Sequence, residues 1–217
     1  MLAALREGWP ILLTPPIVGL AFGVLAREAG LSTLTTVAMS AFVFAGAAQF
    51  AMLELMRGGA VPLVTVAAVL LINSRHLLMA TALRPWFAPR PVVERLGLGY
   101  LLTDENFALS SSWYRRGGRD LAYYLMFGSS LWCLWMGGTL LGATVGATLP
   151  EPRQLGLDFA ITATFIAIVV LAVRQRVDIA VAIAAAVIAG LLRGSGFAVM
   201  AVLVAGALAP LLAVERR

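Results

Sequence analysis

Lysine is absent from this chain, and cysteine and histidine occur once each, as Cys133 and His76. One cysteine excludes an internal disulfide and any thiolate metal cluster, and one histidine excludes zinc and iron centres built from several imidazoles. No metal and no other cofactor is therefore expected. Charge is scarce as well: charged residues make up 12% of the 217, against about a quarter in a soluble domain. Apolar side chains take their place, at 61% of the chain and a mean hydropathy of +0.92. That balance excludes a soluble enzyme domain, a nucleic-acid-binding domain and a disordered tail.

The net charge of +5 does not revive a nucleic-acid partner. Every basic residue is Arg, and no basic run exceeds two; Arg115-Arg116 and Arg216-Arg217 are the densest. Residues Met1–Glu7 lack a basic region leading into an apolar core and cleavage site, so no cleaved signal peptide is expected. There is no P-loop, no acidic cluster for prenyl diphosphates and no haem-spaced histidine pair. What is present is membrane: at about 20 residues per span, the length accommodates roughly seven or eight helices with short loops.

Apolar segments fall at about 9–26, 34–56, 61–83, 121–149, 157–173, 179–192 and 197–214. Between Arg95 and Arg119 lies a different segment, with Thr103-Asp104-Glu105-Asn106 at its centre. A lipid-facing helix does not tolerate two central carboxylates, each costing about 3 kcal/mol on insertion scales. If this segment spans, nine Arg fall inside and six outside; if it enters and leaves on one face, the division is eleven to four. The second arrangement is preferred. The expected fold is an all-α integral membrane protein with about seven transmembrane helices plus one re-entrant or buried helix. Residues 1–217 form a single transmembrane domain: a repeat at about 9–83, the re-entrant segment at about 96–113, a second repeat at about 121–192, and a terminal helix at about 197–214. The two three-helix units then run in opposite senses, an inverted repeat echoed weakly between Ala38–Phe44 and Ala160–Ile166.

Three polar clusters sit where lipid is expected. Phe44-Ala45-Gly46-Ala47-Ala48-Gln49-Phe50 combines small residues, which permit close approach or local unwinding, with one amide. It suits a small-residue packing face and a substrate site equally. In Asn73-Ser74-Arg75-His76, Asn73 and His76 are three apart and share a helix face. The cluster is followed by the apolar run Leu77–Leu83, which places it about two turns deep; a buried guanidinium there needs a counter-charge. Thr103-Asp104-Glu105-Asn106 holds the only acidic pair of the membrane region. Thr103 or Asp104 is suited to cap a half-helix running to Trp113, its dipole facing an anionic group, and a carboxylate in low dielectric can carry a coupling proton. The bland alternative is a solvated cytoplasmic loop. Arg75 is expected to pair with Asp104 or Glu105.

Other positions carry less. Asp158 reads as interfacial, and Glu54 with Arg57 as a surface pair. Gly194-Ser195-Gly196 with His76 as base would make an intramembrane serine protease, but the serine falls in an outer loop while His76 lies near the inner end of its helix. An enzyme is not expected.

These clusters together resemble the AzlC family of branched-chain amino acid exporters. The likeness rests on Gly19–Gly23, Met39–Phe50, Asn73–Met79 and Leu102–Ala108, four motifs in order. The resemblance implies export of valine, leucine or isoleucine, and in some members methionine, across the cytoplasmic (inner) membrane by a multi-pass protein. It also implies a second, much smaller membrane subunit of the AzlD type as partner. A zwitterion needs contacts of both signs. The expected substrate residues are Gly46, Gln49, Asn73, Arg75, His76, Thr103 and Asn106, with Asp104 and Glu105 as coupling groups. With no ATP-binding motif, an ion gradient, most simply protons, is expected to drive export. The competing reading is a scaffold whose polar residues only hold a partner subunit.

Overall fold

Helix breakers divide the apolar runs more finely than their composition implies. The computed structural model describes residues 2–147 and 176–191, and every regular element among them is an α-helix. The first run holds two helices, α1 (Leu2–Leu12) and α2 (Thr14–Glu28), bent by 49°. Pro15 and Pro16, at the start of α2, lack the N–H groups that would continue α1's hydrogen bonding. The run expected as one helix over 34–56 is also two, α3 (Thr33–Val43) and α4 (Gly46–Arg57). Between them Phe44 takes a left-handed conformation, φ +39° and ψ +47°, while its N–H closes the last turn onto Ser40. Ser32 starts α3 by accepting a hydrogen bond from the Thr35 N–H at 3.0 Å.

Next come α5 (Pro62–Asn73) and α6 (Arg75–Phe87), separated by a turn at Ser74. The polar segment gives α7 (Val92–Tyr100) and α8 (Asp104–Arg115), and α9 (Leu121–Gly146) is the longest helix described. The last, α10, covers Arg176–Leu191. Among the described residues two stretches, Pro62–Phe87 and Leu121–Gly146, are long and apolar enough to cross a membrane, and α1 with α2 makes a third if the bent pair crosses as one. The apolar segments expected at 157–173 and 197–214, the Ala160–Ile166 echo, Asp158 and Gly194-Ser195-Gly196 lie outside the described residues.

The chain divides into two units, 50–72 with 151–217 and 1–49 with 73–150. In the former, Glu54 and Arg57 form the expected exposed pair at 3.7 Å. The helices present apolar side chains outward: Leu63, Val66 and Leu70 on α5, and Ile179, Ile183, Val187 and Leu191 at four-residue spacing on α10. Outward-facing aliphatic side chains at helical spacing suit a lipid solvent.

The other unit is organised by α9 lying along α2. Glycines on both sides remove the side chains that would hold the helices apart. A Cβ at Gly19 would stand 2.7 Å from the Trp135 carbonyl oxygen, and Cβ atoms at Gly23, Gly138 and Gly142 would overlap the backbones of Thr139, Pro16 and Leu20. This is main-chain contact of the kind small residues permit in apolar surroundings. A second cluster forms where α6, α7 and α8 meet the start of α9: Met79, Leu83, Leu98, Leu102, Tyr114 and Tyr124 are buried together. Trp86 stacks on Tyr114 at 4.9 Å, and Phe87 meets Tyr124 edge-on at 5.0 Å. Glu7 ties α1 in, accepting from Arg116 at 2.6 Å and from the Tyr123 hydroxyl at 3.1 Å.

Two glycine substitutions separate packing from propensity. Gly142→Val drives a side chain into the α2 backbone and is expected to lower stability by about 3 kcal/mol or more. Gly97→Ala, in α7 with nothing within reach of its added methyl, is expected to be neutral or stabilising by up to about 1 kcal/mol. Thermal melting of the detergent-solubilised protein reads both.

Candidate functional site

Three of the helix interruptions meet at one cavity. It measures about 190 Å³, and an apolar surface groove of about 390 Å³ lies apart from it, between α2 and α9. Its walls are Val43, Phe44 and Ala45 from the α3–α4 break, Asn73 and His76 from the α5–α6 break, and Gly99, Tyr100 and Leu102 from the α7–α8 break. An interrupted helix exposes carbonyls at the end of one half and N–H groups at the start of the next, both available to a ligand.

Each break is built differently. At α7–α8, Thr103 accepts the Asn106 N–H at 3.2 Å and caps α8, which runs to Arg115. Asn106 is fully buried and its amide is engaged within the protein. Its Nδ2 donates to the Leu101 carbonyl at 2.9 Å and to the Tyr124 carbonyl at 3.4 Å, and its Oδ1 accepts from the Ser110 hydroxyl at 3.0 Å. Asn106 therefore holds the interruption in shape and is not part of the cavity wall. Thr103 has the same structural part. The first turn of α8 is already filled by its own Asp104 and Glu105, so its dipole does not offer the anion site expected of it.

At α5–α6, the carbonyl released by the turn is that of Asn73, and His76 Nδ1 bonds to it at 3.0 Å. Arg75 meets Asp104 at 2.9 Å, one of the two pairings expected, and so ties the start of α6 to the start of α8. The side chains are 42% and 50% exposed, while Arg75 Nε is buried without a hydrogen-bond partner among the described residues. Glu105 is exposed and makes no hydrogen bond or ion pair among the described residues.

At α3–α4, Gly46 and Gln49 face α9 and do not line the cavity. Gly46 lies where a Cβ would stand 3.0 Å from the Trp135 ring. Gln49, 1% exposed, donates from Nε2 to Ser40 Oγ at 2.9 Å, and Trp135 Nε1 donates to the same oxygen at 3.1 Å. With both lone pairs taken, Ser40 directs its own proton to Thr139 Oγ1 at 3.0 Å. This network ties the break to α9, the packing alternative weighed for this cluster, and leaves Gln49 Oε1 buried without a hydrogen-bond partner among the described residues.

Tyr100 was not singled out by sequence. Its hydroxyl donates to the Ala41 carbonyl and accepts from Trp132 Nε1 at 2.5 Å, joining the end of α7 to the last turn of α3 across the cavity. Trp135, Ser40, Thr139 and Trp132 were missed too. Three of them lie in the run that becomes α9, where apolar composition conceals polar atoms; the one available signal was indole and hydroxyl groups within a long apolar span, which need partners.

These features define a helical membrane protein whose interrupted helices line a small, open cavity of mixed polarity. The family model described as AzlC protein matches residues 10–149. The chain belongs to the AzlC family. It is 28% identical over 182 residues to the inner membrane protein YgaZ of Escherichia coli, covering 81% of this chain and 74% of that protein. It is 27% identical over 173 residues to the branched-chain amino acid transport protein AzlC of Bacillus subtilis, covering 76% of this chain and 66% of that one. A membrane protein of Archaeoglobus fulgidus is 31% identical over 171 residues, 76% of this chain and 74% of its own length. No solved structure matches the chain.

The Arg75–Asp104 pair is tested by a double-mutant cycle. Arg75→Gln and Asp104→Asn are each expected to lower stability by at most about 1 kcal/mol, given their exposure. The double variant is expected to lose no more than the worse single one, as read by denaturation midpoint. Thr103→Ala removes the α8 cap and is expected to lower stability by about 1 kcal/mol.

Proposed function

We propose that this protein exports branched-chain amino acids, valine, leucine or isoleucine and also methionine, across the cytoplasmic membrane in exchange for protons. It works as a multi-pass protein of about seven spans in two inverted repeats, beside a small AzlD-type membrane subunit. The observation that carries the reading is the convergence of three helix breaks on one cavity. It is supported by the name of the Bacillus subtilis relative, a branched-chain amino acid transport protein.

The chemistry suits a small zwitterion with an aliphatic side chain. Val43, Phe44 and Leu102 offer apolar wall, and Asn73 and His76 offer polar atoms. For the carboxylate, α4 is the better helix start. Its first residues are Gly46, Ala47 and Ala48, with no acidic side chain in the first turn, and Ala45 before it has no side-chain acceptor to cap it. With no acidic side chain of its own there, the start of α4 suits a substrate anion better than that of α8. Arg75 and Asp104 neutralise each other at the rim and hold two of the breaks in register.

The test is export of valine, leucine, isoleucine and methionine from dipeptide-loaded cells that express this chain alone or with a small partner subunit. Efflux is expected to require the pair and to fall at least tenfold with Asn73→Ala. A verified membrane complex with no efflux of any of the four would replace transport by the scaffold reading.

A further inference from the structure

Resting on that transport reading, we infer that His76 Nε2 and Asn73 Oδ1 form one seat, which holds either the substrate's ammonium group or a proton, so that the two cross the protein in exchange.

The hydrogen bond at the α5–α6 break fixes the role of one ring nitrogen. A backbone carbonyl can only accept, so the His76 Nδ1 that contacts the Asn73 carbonyl at 3.0 Å carries the hydrogen. In the neutral ring Nε2 is then a lone-pair acceptor, with no partner among the described residues. Asn73 Oδ1 is a second one: it is shielded from solvent and has no hydrogen-bond partner among the described residues. Both residues line the cavity of about 190 Å³, and both come from one short stretch of chain. Two unfilled acceptors beside an apolar wall match a primary ammonium, a compact cation with several donors.

Imidazole is the one side chain that ordinarily exchanges a proton between pH 5 and 8. Protonation turns Nε2 from acceptor into donor and places a positive charge where the ammonium would sit. Occupation by one cation therefore excludes the other. Tyr100 lines the same cavity from α7, Arg75 beside it is matched by Asp104 of α8, and Val43–Ala45 bring no ionisable group. The balance is simple: the amino acid leaves as a zwitterion of no net charge, and the proton that replaces its ammonium returns on Nε2. One positive charge enters per amino acid exported, so the membrane potential assists as well as the pH gradient.

His76 is the only histidine, so histidine-selective ¹⁵N labelling of the full chain in nanodiscs gives one imidazole to follow. With leucine as the probe, saturation is expected to move the ring's protonation midpoint to lower pH by about one unit or more. Reciprocally, leucine affinity should weaken about tenfold per pH unit below that midpoint. His76→Gln should bind leucine more weakly and with an affinity that no longer changes between pH 5 and 8. Leucine binding that leaves the midpoint unmoved, or raises it, overturns the shared seat while leaving amino acid binding intact. Failure of leucine, valine, isoleucine and methionine to bind at any pH, to the chain alone and to its complex with a small partner subunit, overturns the transport reading itself, and the seat with it. The titration on the unaltered chain decides even if the variant does not fold.

Discussion

The contact on which the larger unit depends is main chain against main chain, where α2 and α9 touch through Gly19, Gly23, Gly138 and Gly142. In an apolar solvent, burial of apolar side chains drives little helix association, because lipid solvates them as well as a neighbouring helix does. Close packing of the backbones and buried polar contacts must hold the helices instead. The glycines supply the first and the Ser40–Gln49–Trp135–Thr139 network the second. Both are located on the same helix, α9, which thereby fixes where the α3–α4 break can stand.

That arrangement explains why polar residues in this chain divide into two kinds. Asn106, Ser40 and Thr103 are joined to partners inside the protein and give the breaks their shape. Asn73 and His76 stand at the cavity, and Asn73 Oδ1 has no hydrogen-bond partner among the described residues. Gln49 Oε1 is a buried, unfilled acceptor as well, but Gln49 faces α9 and not the cavity, so it is the position of Asn73 that points to a ligand.

Much of this was legible in sequence, though unevenly. The all-helical class, the odd character of the Thr103–Asn106 segment, its helical cap and the partnership of Arg75 with an acidic neighbour all follow from local rules about polarity and capping. The four motifs also pointed to the family that the comparisons establish. What sequence could not distinguish was which polar groups face a cavity. Asn106 and Asn73 are the same residue type in similar apolar surroundings, and only the fold separates them. Break positions were hidden as well. Nothing in Val43-Phe44-Ala45 forbids a continuous helix, and the interruption there depends on tertiary contacts such as the Tyr100 hydroxyl on the Ala41 carbonyl. Gly46 and Gln49 were rightly singled out as unusual, but their environment is α9.

Phe44 bears on how such a protein changes state. A left-handed conformation at a non-glycine residue is uphill by about 1–2 kcal/mol relative to helical geometry. Here it is held at φ +39° by the contacts around it. That energy corresponds to a factor of roughly ten in population, comparable to the bias a modest ligand exerts. The Tyr100 hydroxyl on the Ala41 carbonyl is one of those contacts. A glycine at this position would store none of that energy, so the aromatic residue makes the break depend on its neighbours.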